Sequence, residues 1–436
     1  MTASNAHRDT HRAIDAVWRI EAPRLIAGLA RMLRDVGLAE ELAQDALVAA
    51  LERWPETGVP DNPAAWLMTT ARHRAIDRLR RSKLQQRKHE ELGHELEAHG
   101  MAGPDNDRMI EEGRFDDDIG DDLLRLVFIA CHPVLSTAAR VTLTLRLLGG
   151  LGTDEIARAF LLSEPTIAQR IVRAKRTLAK AQVPFEVPRK AELGERLGSV
   201  LEVVYLIFNE GYSATAGDDW MRPALCEEAL RLGRVLAGLV PQEPEVHGLV
   251  ALMEIQASRT HARVGPGGEP VLLLEQDRAR WDRLLIHRGL SALERAEQLG
   301  GGVNGPYALQ AAIAACHARA ATAQDTDWAR IAELYAVLAT RAPSPVVELN
   351  RAVALGMALG PAAGLALLKT LMDDPALAQY HLLPAVHGDF LSKLGRPAEA
   401  RAAFERAAEL TRNGRERALL LERAAACASR AAPRSG

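Results

Sequence analysis

The stretch TDEIARAFLLSEPTIAQRIVRAKRTL, residues 153–178, predicts two short helices joined by a tight turn. Thr153 is a residue type that caps a helix, and apolar residues recur at helical spacing after it. Residues 161–163 then form the turn. Ser163 can cap the second helix, and Pro165 fits its first turn. The stretch therefore predicts a helix-turn-helix.

The second helix of this motif has an apolar side and a basic side. The apolar stripe consists of Ile167, Ile171, Ala174 and Leu178. The other side carries Gln169, Arg173 and Arg176, flanked by Arg170 and Lys175. An α-helix fits the DNA major groove, where Gln and Arg read base edges and other cations hold phosphates. The alternative is a solvated basic helix in an ordinary bundle.

A second basic segment lies upstream, at residues 72–88. It holds eight Lys or Arg residues and one acid, Asp77. A short loop at residues 57–63 precedes the segment and ends against Trp66. A basic helix beneath such a loop can hold a single strand by its phosphates and accept an unstacked base. The alternative is a solvated run of charges.

An acidic helix is predicted at residues 39–54. Its apolar positions are Leu42, Leu47, Leu51 and Trp54. Its outward acidic positions are Glu41, Asp45 and Glu52. An acidic stripe of this kind can dock on a basic protein surface, and simple solvation is the alternative.

The chain as a whole predicts an all-α fold, because apolar residues recur at spacings of three and four and few stretches alternate. Its four predicted parts are a helical domain at 12–83, an acidic flexible linker at 84–120, the helix-turn-helix domain at 121–183 and a helical domain at 186–436. In the first domain the predicted helices are Arg24–Arg34, Leu38–Trp54 and Ala64–Arg81, with a break at Pro55–Pro63. The linker prediction depends on eleven acidic and two basic residues between Glu95 and Asp122.

The C-terminal part contains a weak internal repeat. Pro361–Leu368 aligns with Pro397–Phe404 at an offset of 36 residues, close to the tetratricopeptide period of about 34. We therefore predict a tetratricopeptide-like domain, with a generic helical bundle as the alternative.

The order of these segments resembles the sigma-70 family of bacterial RNA polymerase subunits, in particular the short extracytoplasmic-function (ECF) type. The resemblance covers residues 12–182 and implies two binding partners, core RNA polymerase and promoter DNA. Glu41, Asp45 and Glu52 would contact polymerase. The implied set for the −10 element is Asp61, Asn62, Trp66, His73, Arg74 and Arg78. The implied set for the −35 element is Thr166, Ala168, Gln169, Arg170, Arg173 and Arg176.

The long C-terminal part departs from the short members of that family. Residues 203–214, 276–282 and 131–135 resemble a subgroup that carries a helical, tetratricopeptide-like extension, thought to regulate the sigma part. This implies a further, unidentified regulator. Asn209, Glu210, Gly211 and Tyr212 form a candidate regulatory motif. Buried hydrogen bonding that locks two helices is the simpler interpretation, and the one we favour over a ligand site.

The composition of the chain excludes several classes of function. The net charge is −3, and no run of eighteen apolar residues or secretory signal is present, so we expect a cytoplasmic protein with no membrane partner. Four isolated cysteines and scattered histidines predict no metal, and no nucleotide or hydrolase motif predicts a cofactor or catalysis. An enzyme in the C-terminal part is the least favoured hypothesis. The main alternative is a helix-turn-helix regulator that acts without joining polymerase.

Overall fold

The computed structural model describes residues 3–94, 119–214, 220–300 and 302–431. Over these ranges the regular structure is helical, apart from an isolated bridge between Val264 and Pro270, which confirms the all-α prediction. None of the helices in these ranges is long and apolar enough to cross a membrane. The chain divides into two compact units, Met1–Val203 and Val204–Gly436.

The first unit contains seven complete α-helices and the start of an eighth in its described part. They are α1 (Ala3–Leu33), α2 (Val36–Thr57), α3 (Pro63–His94), α4 (Ile119–Ala130), α5 (Thr137–Leu147), α6 (Thr153–Phe160), α7 (Glu164–Lys180) and α8 (Lys190–Tyr212).

Helices α1, α2 and α3 are each longer than the sequence predicted. Helix α1 begins at Ala3 and passes Pro23, and α2 passes Pro55 and ends at Thr57. Pro55 lies in the last turn of α2, so its missing N–H costs that helix only one hydrogen bond near its end. Gly58 then ends the helix with a φ of 85° and donates its N–H to the carbonyl of Trp54 at 2.9 Å. The predicted break is therefore shorter than Pro55–Pro63.

The described ends of the predicted linker, residues 84–94 and 119–120, are helical. Helix α3 continues to His94, and α4 begins at Ile119. Residues 95–118, which hold most of the predicted linker's acids, lie outside the described residues.

The boundary between the two units lies inside α8 rather than at the predicted Pro184–Pro188. The first half of α8 is bonded to the first unit: Arg196 donates to the Phe128 carbonyl at 2.9 Å and Ser199 to the Cys131 carbonyl at 2.7 Å. Because of these hydrogen bonds, the boundary between the two units lies further along the chain than the sequence predicted.

The first unit has a core of closely packed helices. Alanines such as Ala43, Ala46 and Ala71 are fully buried where α1, α2 and α3 meet, since a methyl side chain lets helices approach. Leu42 and Trp54 are buried as predicted, whereas Leu47 and Leu51 are half-buried. This core fixes which side of α2 faces solvent.

The second unit continues α8 and adds ten more α-helices within the described residues. They are α9 (Pro223–Leu239), α10 (Pro244–Ala257), α11 (Arg283–Gly300), α12 (Pro306–Arg319), α13 (Trp328–Arg341), α14 (Pro345–Leu359), α15 (Pro361–Lys369), α16 (Leu382–Lys393), α17 (Pro397–Leu410) and α18 (Gly414–Ala431). The two segments aligned as a repeat start α15 and α17, each with a proline in its first turn. The tetratricopeptide-like assignment stays a prediction.

Candidate nucleic-acid interface

The turn between α6 and α7 has the geometry of a helix-turn-helix. Leu161 ends α6 in the left-handed conformation with a φ of 52°. Ser163 caps α7 as predicted, accepting from the N–H of Thr166 at 3.4 Å, and Pro165 lies in the first turn. The predicted cap of α6 is wrong by one residue, because Thr153 is already helical. Gly152 occupies the cap, and its N–H donates to the Glu155 carboxylate at 2.7 Å.

Helix α7 presents a polar face to solvent because its apolar stripe is buried. The stripe is the predicted one, Ile167, Ile171, Ala174 and Leu178. The exposed residues of the predicted −35 set are Thr166, Ala168, Gln169, Arg173 and Arg176. Arg170, the remaining member, is half-buried and donates to Thr142 Oγ1 of α5 at 3.3 Å. A groove of about 450 Å³ runs along Gln169 and Arg173.

The start of α3 carries the predicted −10 residues. Asn62 caps the helix by accepting from the N–H of Ala65 at 3.0 Å, and Asp61 beside it is exposed. Trp66 is half-buried and packs edge-on against Trp54, with ring centroids 5.3 Å apart. The cap and the tryptophan pair together fix the loop at residues 58–62 to the rigid core.

One turn further along, α3 becomes a cationic surface. His73 and Arg78 are exposed and Arg74 is half-buried. The side chains of residues 82–94 lie outside the described ones, so the basic run is seen only as far as Arg81.

The acidic face of α2 is where the sequence predicted it. Glu41, Asp45 and Glu52 are all exposed, and none forms a salt bridge with a described cation. They point away from the alanine-rich side that packs on the core.

A buried glutamate beside that face was missed by sequence reasoning. The side chain of Glu40 is 3% exposed and accepts from Arg146 Nε of α5 at 2.6 Å. Its second carboxylate oxygen pairs with Lys175 Nζ of α7. Burial lowers the pKa of Lys175 from its ordinary value. The available signal was the spacing of Glu40 with Ala43 and Leu47, which puts it on the apolar side of α2.

Two further ion pairs join the same parts of the first unit. Asp122 of α4, whose side chain is 5% exposed, pairs with Arg31 of α1 at 3.2 Å and with Arg125 at 2.6 Å. Arg19 of α1 pairs with Glu155 of α6 at 2.8 Å. Four ion pairs therefore join α1 and α2 to the part of the first unit from α4 to α7.

The candidate regulatory motif lies at the end of α8. Glu210 forms an ion pair with Arg222, and the Gly211 carbonyl accepts from the N–H of Arg222 at 2.7 Å. A Cβ on Gly211 would come within 2.6 Å of the Cys226 nitrogen, so only glycine fits where α8 meets α9. Asn209 hydrogen-bonds Tyr205, and the Tyr212 carbonyl accepts from Arg263 at 2.7 Å.

The four cysteines are described and unpaired. Burial raises the pKa of the Cys131 thiol to about 11 and that of Cys226 to about 12. Such thiols are poor nucleophiles near neutral pH.

Comparisons with known proteins agree with this geometry. Family models for Sigma-70 region 2 and Sigma-70, region 4 match residues 18–85 and 125–178. The ECF RNA polymerase sigma factor SigK of Mycobacterium ulcerans is 31% identical over 160 residues, which are 36% of this chain and 78% of that protein. The chain belongs to the sigma-70 family. Its relatives place it with the ECF type.

As a sigma factor, the protein acts in transcription initiation, in a family that binds core RNA polymerase and promoter DNA and is not a family of enzymes. Helices α1–α3 fall in region 2 and α5–α7 in region 4. The Probable ECF RNA polymerase sigma factor SigI of Mycobacterium tuberculosis is 25% identical over 179 residues, 41% of this chain and 58% of that protein.

The extension is shared with a relative of similar length. An uncharacterized protein of Rhizobium meliloti is 42% identical over 408 residues, 93% of this chain and 94% of that protein. Residues 196–297 match a family of unknown function, DUF6596. The extension therefore belongs with the sigma regions in more than one chain.

Proposed function

We propose that this sigma factor reads a −35 element with α7 and a −10 element with α3, promotes strand opening there, and is regulated by its C-terminal extension. The observation that supports this most is the polar face of α7. Gln169, Arg173 and Arg176 are exposed and free of salt bridges with described acids, on a helix whose other side is buried.

The exposed side chains of α7 form two groups, one suited to base edges and one suited to phosphates. Gln169 and Arg173 lie one turn apart on the exposed face and are suited to base edges in the major groove. Arg176 and Lys180 follow toward the helix end and are suited to phosphates, which set position rather than sequence. Arg170 is tied to Thr142 and holds α7 on α5.

The start of α3 is suited to an unpaired strand. The loop at residues 58–62 lies beside a half-buried indole and offers the exposed polar side chains of Asp61 and Asn62 to an unstacked base. Arg74 and Arg78 lie downstream on the same helix and would hold the strand's phosphates. Strand opening is favoured because the melted base gains contacts that a paired base cannot make.

The acidic face of α2 is the surface we assign to polymerase. Glu41, Asp45 and Glu52 provide three exposed negative charges on a rigid helix. Complementary charge speeds encounter and fixes the docking register. A helix-turn-helix regulator that never joins polymerase would need neither this face nor the −10 helix.

Promoter binding requires the first unit to open. A −10 and a −35 element are about 25 base pairs apart, which is about 85 Å along B-DNA at 3.4 Å per base pair. Lys175 of α7 is in contact with Glu40 of α2, so the two DNA-binding helices cannot reach both elements while that ion pair is made. We infer that engagement with polymerase separates regions 2 and 4.

The experiment that tests this proposal is run-off transcription with purified core polymerase and full-length protein. We expect transcripts that start at fixed positions downstream of paired −35 and −10 elements and that disappear when either element is scrambled. DNA binding without any polymerase-dependent transcript, on every promoter tried, would favour the plain regulator instead.

A further inference from the structure

Three buried arginines lie together in the second unit without a carboxylate partner. Arg259 and Arg263 flank the 3-10 turn after α10, and Arg278 begins a later 3-10 turn. They are 9%, 7% and 8% exposed. None of the three forms a salt bridge with any acid in the described parts of the chain. We call these residues, with the aromatic rings between them, the arginine cluster.

The arginines alternate with aromatic rings. The guanidinium carbon of Arg263 lies 3.5 Å from the ring centroid of Tyr212 and 5.5 Å from that of Trp220. The guanidinium carbon of Arg259 lies 5.8 Å from the ring centroids of both Tyr212 and Trp281. The guanidinium carbon of Arg278 lies 4.9 Å from the ring centroid of Trp281. Shared rings therefore place each guanidinium next to another one.

The aromatic ring faces do not neutralise the positive charge of the three guanidinium groups. A guanidinium is always protonated in a protein, and burying it without a counter-charge is costly. Contact with a π face offsets part of that cost and leaves the N–H edges unsatisfied. Neighbouring arginines add repulsion: the pKa of Arg278 is lowered by burial and then by Arg259, and Asp325 offsets only part of this.

Other arginines of the same unit show the ordinary solution. Arg222, whose side chain is mostly buried, pairs with Glu210, and even the exposed Arg234 pairs with the buried Glu254 at 2.8 Å. Each has a carboxylate in contact. The arginine cluster departs from that pattern three times within one small volume.

Several donors in the cluster are buried and have no hydrogen-bond partner. They are the Nε atoms of Arg259 and Arg278 and the indole Nε1 atoms of Trp220 and Trp281. The guanidinium of Arg259 has one protein partner, the side-chain oxygen of Gln256. Arg278 is more fully engaged, since its terminal nitrogens donate to the carbonyls of His317 and Ala320 and to Thr326. Arg278 therefore positions the cluster, and Arg259 has the most free donor capacity.

We propose that the arginine cluster is a binding site for a small anion that carries an oxyanion group, either phosphoryl or carboxylate. The anion supplies the contacting negative charge that no described carboxylate provides to Arg259 or Arg263, and it accepts from Arg259, Arg263 and Trp281. Planar guanidinium groups match such oxygens with paired hydrogen bonds. All six cluster residues lie within residues 196–297, the part that matches the family of unknown function. The cluster shares no residue with the sets proposed for the −35 and −10 elements.

The first test is a calorimetric titration of the full-length protein with inorganic phosphate and, separately, with citrate. We expect saturable binding of at least one of them, weakened about tenfold or more in Arg259→Met because a charge-assisted hydrogen bond is lost. Arg295→Met is the matched control, since Arg295 is exposed on α11. It should bind like the wild type. No saturable binding of either anion, or equal binding by Arg259→Met, would overturn the proposal.

A second measurement separates a binding site from a structural stack. Without added phosphate or citrate, removing one of three repelling charges should leave the midpoint of thermal unfolding unchanged or raise it. Saturating ligand should then raise the midpoint of the wild type and not that of Arg259→Met. If Arg259 serves only to stack between rings, Arg259→Met lowers the midpoint and added anion raises neither protein. If Arg259→Met does not fold, Arg259→Lys replaces it in both measurements. Lysine keeps the positive charge but lacks the paired N–H donors of the guanidinium.

Discussion

Single side chains carry the base-reading role, and Arg173 is the one we expect to matter most. It is exposed near the middle of α7, one turn from Gln169. Arg173→Ala should weaken binding of the polymerase holoenzyme to its promoter by about 1–3 kcal/mol and relax sequence preference at one base pair. Binding to promoter variants measures both effects.

A neighbouring cation on the same helix provides the control. Lys180→Ala removes a phosphate contact and should weaken all promoter variants equally while reducing the salt dependence by about one charge. If Arg173→Ala behaves like Lys180→Ala, α7 is not placed in the groove as we propose.

A buried histidine gives a pH-dependent prediction at the same scale. Burial, Arg259 and Arg278 lower the pKa of His317 from 6.5 to about 3. The His317 imidazole is therefore protonated near pH 6.5 in the unfolded chain but only near pH 3 in the folded chain. The free energy of unfolding should therefore fall as pH drops through this window, by up to about 1.4 kcal/mol per pH unit.

Denaturant unfolding at pH 7 and pH 5 measures that effect. The loss between the two values should be smaller in His317→Gln than in the wild type. His261→Gln, at an exposed position, should change nothing. An unchanged pH dependence in His317→Gln would show that this ring does not stay neutral in the fold.

At the scale of elements, adjacent glutamates of α2 have opposite roles. Glu40 is buried between Arg146 and Lys175, and Glu41 is exposed. Glu40→Gln removes the counter-charge of two cations and should weaken the closed arrangement by about 2 kcal/mol, less than for a fully buried pair because both cations keep some exposure. Promoter DNA binding without polymerase should then increase several-fold.

The matched control is Glu41→Gln, one residue away. It should leave DNA binding without polymerase unchanged and weaken binding to core polymerase. The same response from both variants would mean that the ion pair of Glu40 does not hold regions 2 and 4 together.

Over the whole molecule, the small net charge hides separated patches. Residues 1–185 contain 26 basic and 27 acidic residues, yet α7 and the part of α3 from Arg72 to Arg81 are basic, while α2 is acidic on its exposed face. A sum near zero therefore says little about DNA binding. The chain meets DNA and polymerase through local charge.

The extension allows a prediction at this same scale. Residues 204–436 form a compact unit of their own, and a truncated protein should end at Val203 because Arg196 and Ser199 bond to the first unit. We expect residues 1–203 to differ from the full chain by several-fold in run-off transcription. Equal activity of the two proteins would leave the extension without the regulatory role.

The sequence by itself determined the local features. The cap Ser163, the apolar stripe of α7 and the outward acids of α2 all follow from patterns within one segment. Helix ends were less predictable, because Pro23 and Pro55 are tolerated where packing compensates a single lost hydrogen bond.

Only the tertiary structure decided which charges meet. Glu40 and Glu41 are the same residue type side by side, and burial against α5 and α7 alone separates their roles. The arginine cluster joins Tyr212, Arg259 and Arg278, which are far apart in the chain. Helical periodicity is a local property of a segment, whereas the partner of a buried charge depends on which segments pack together.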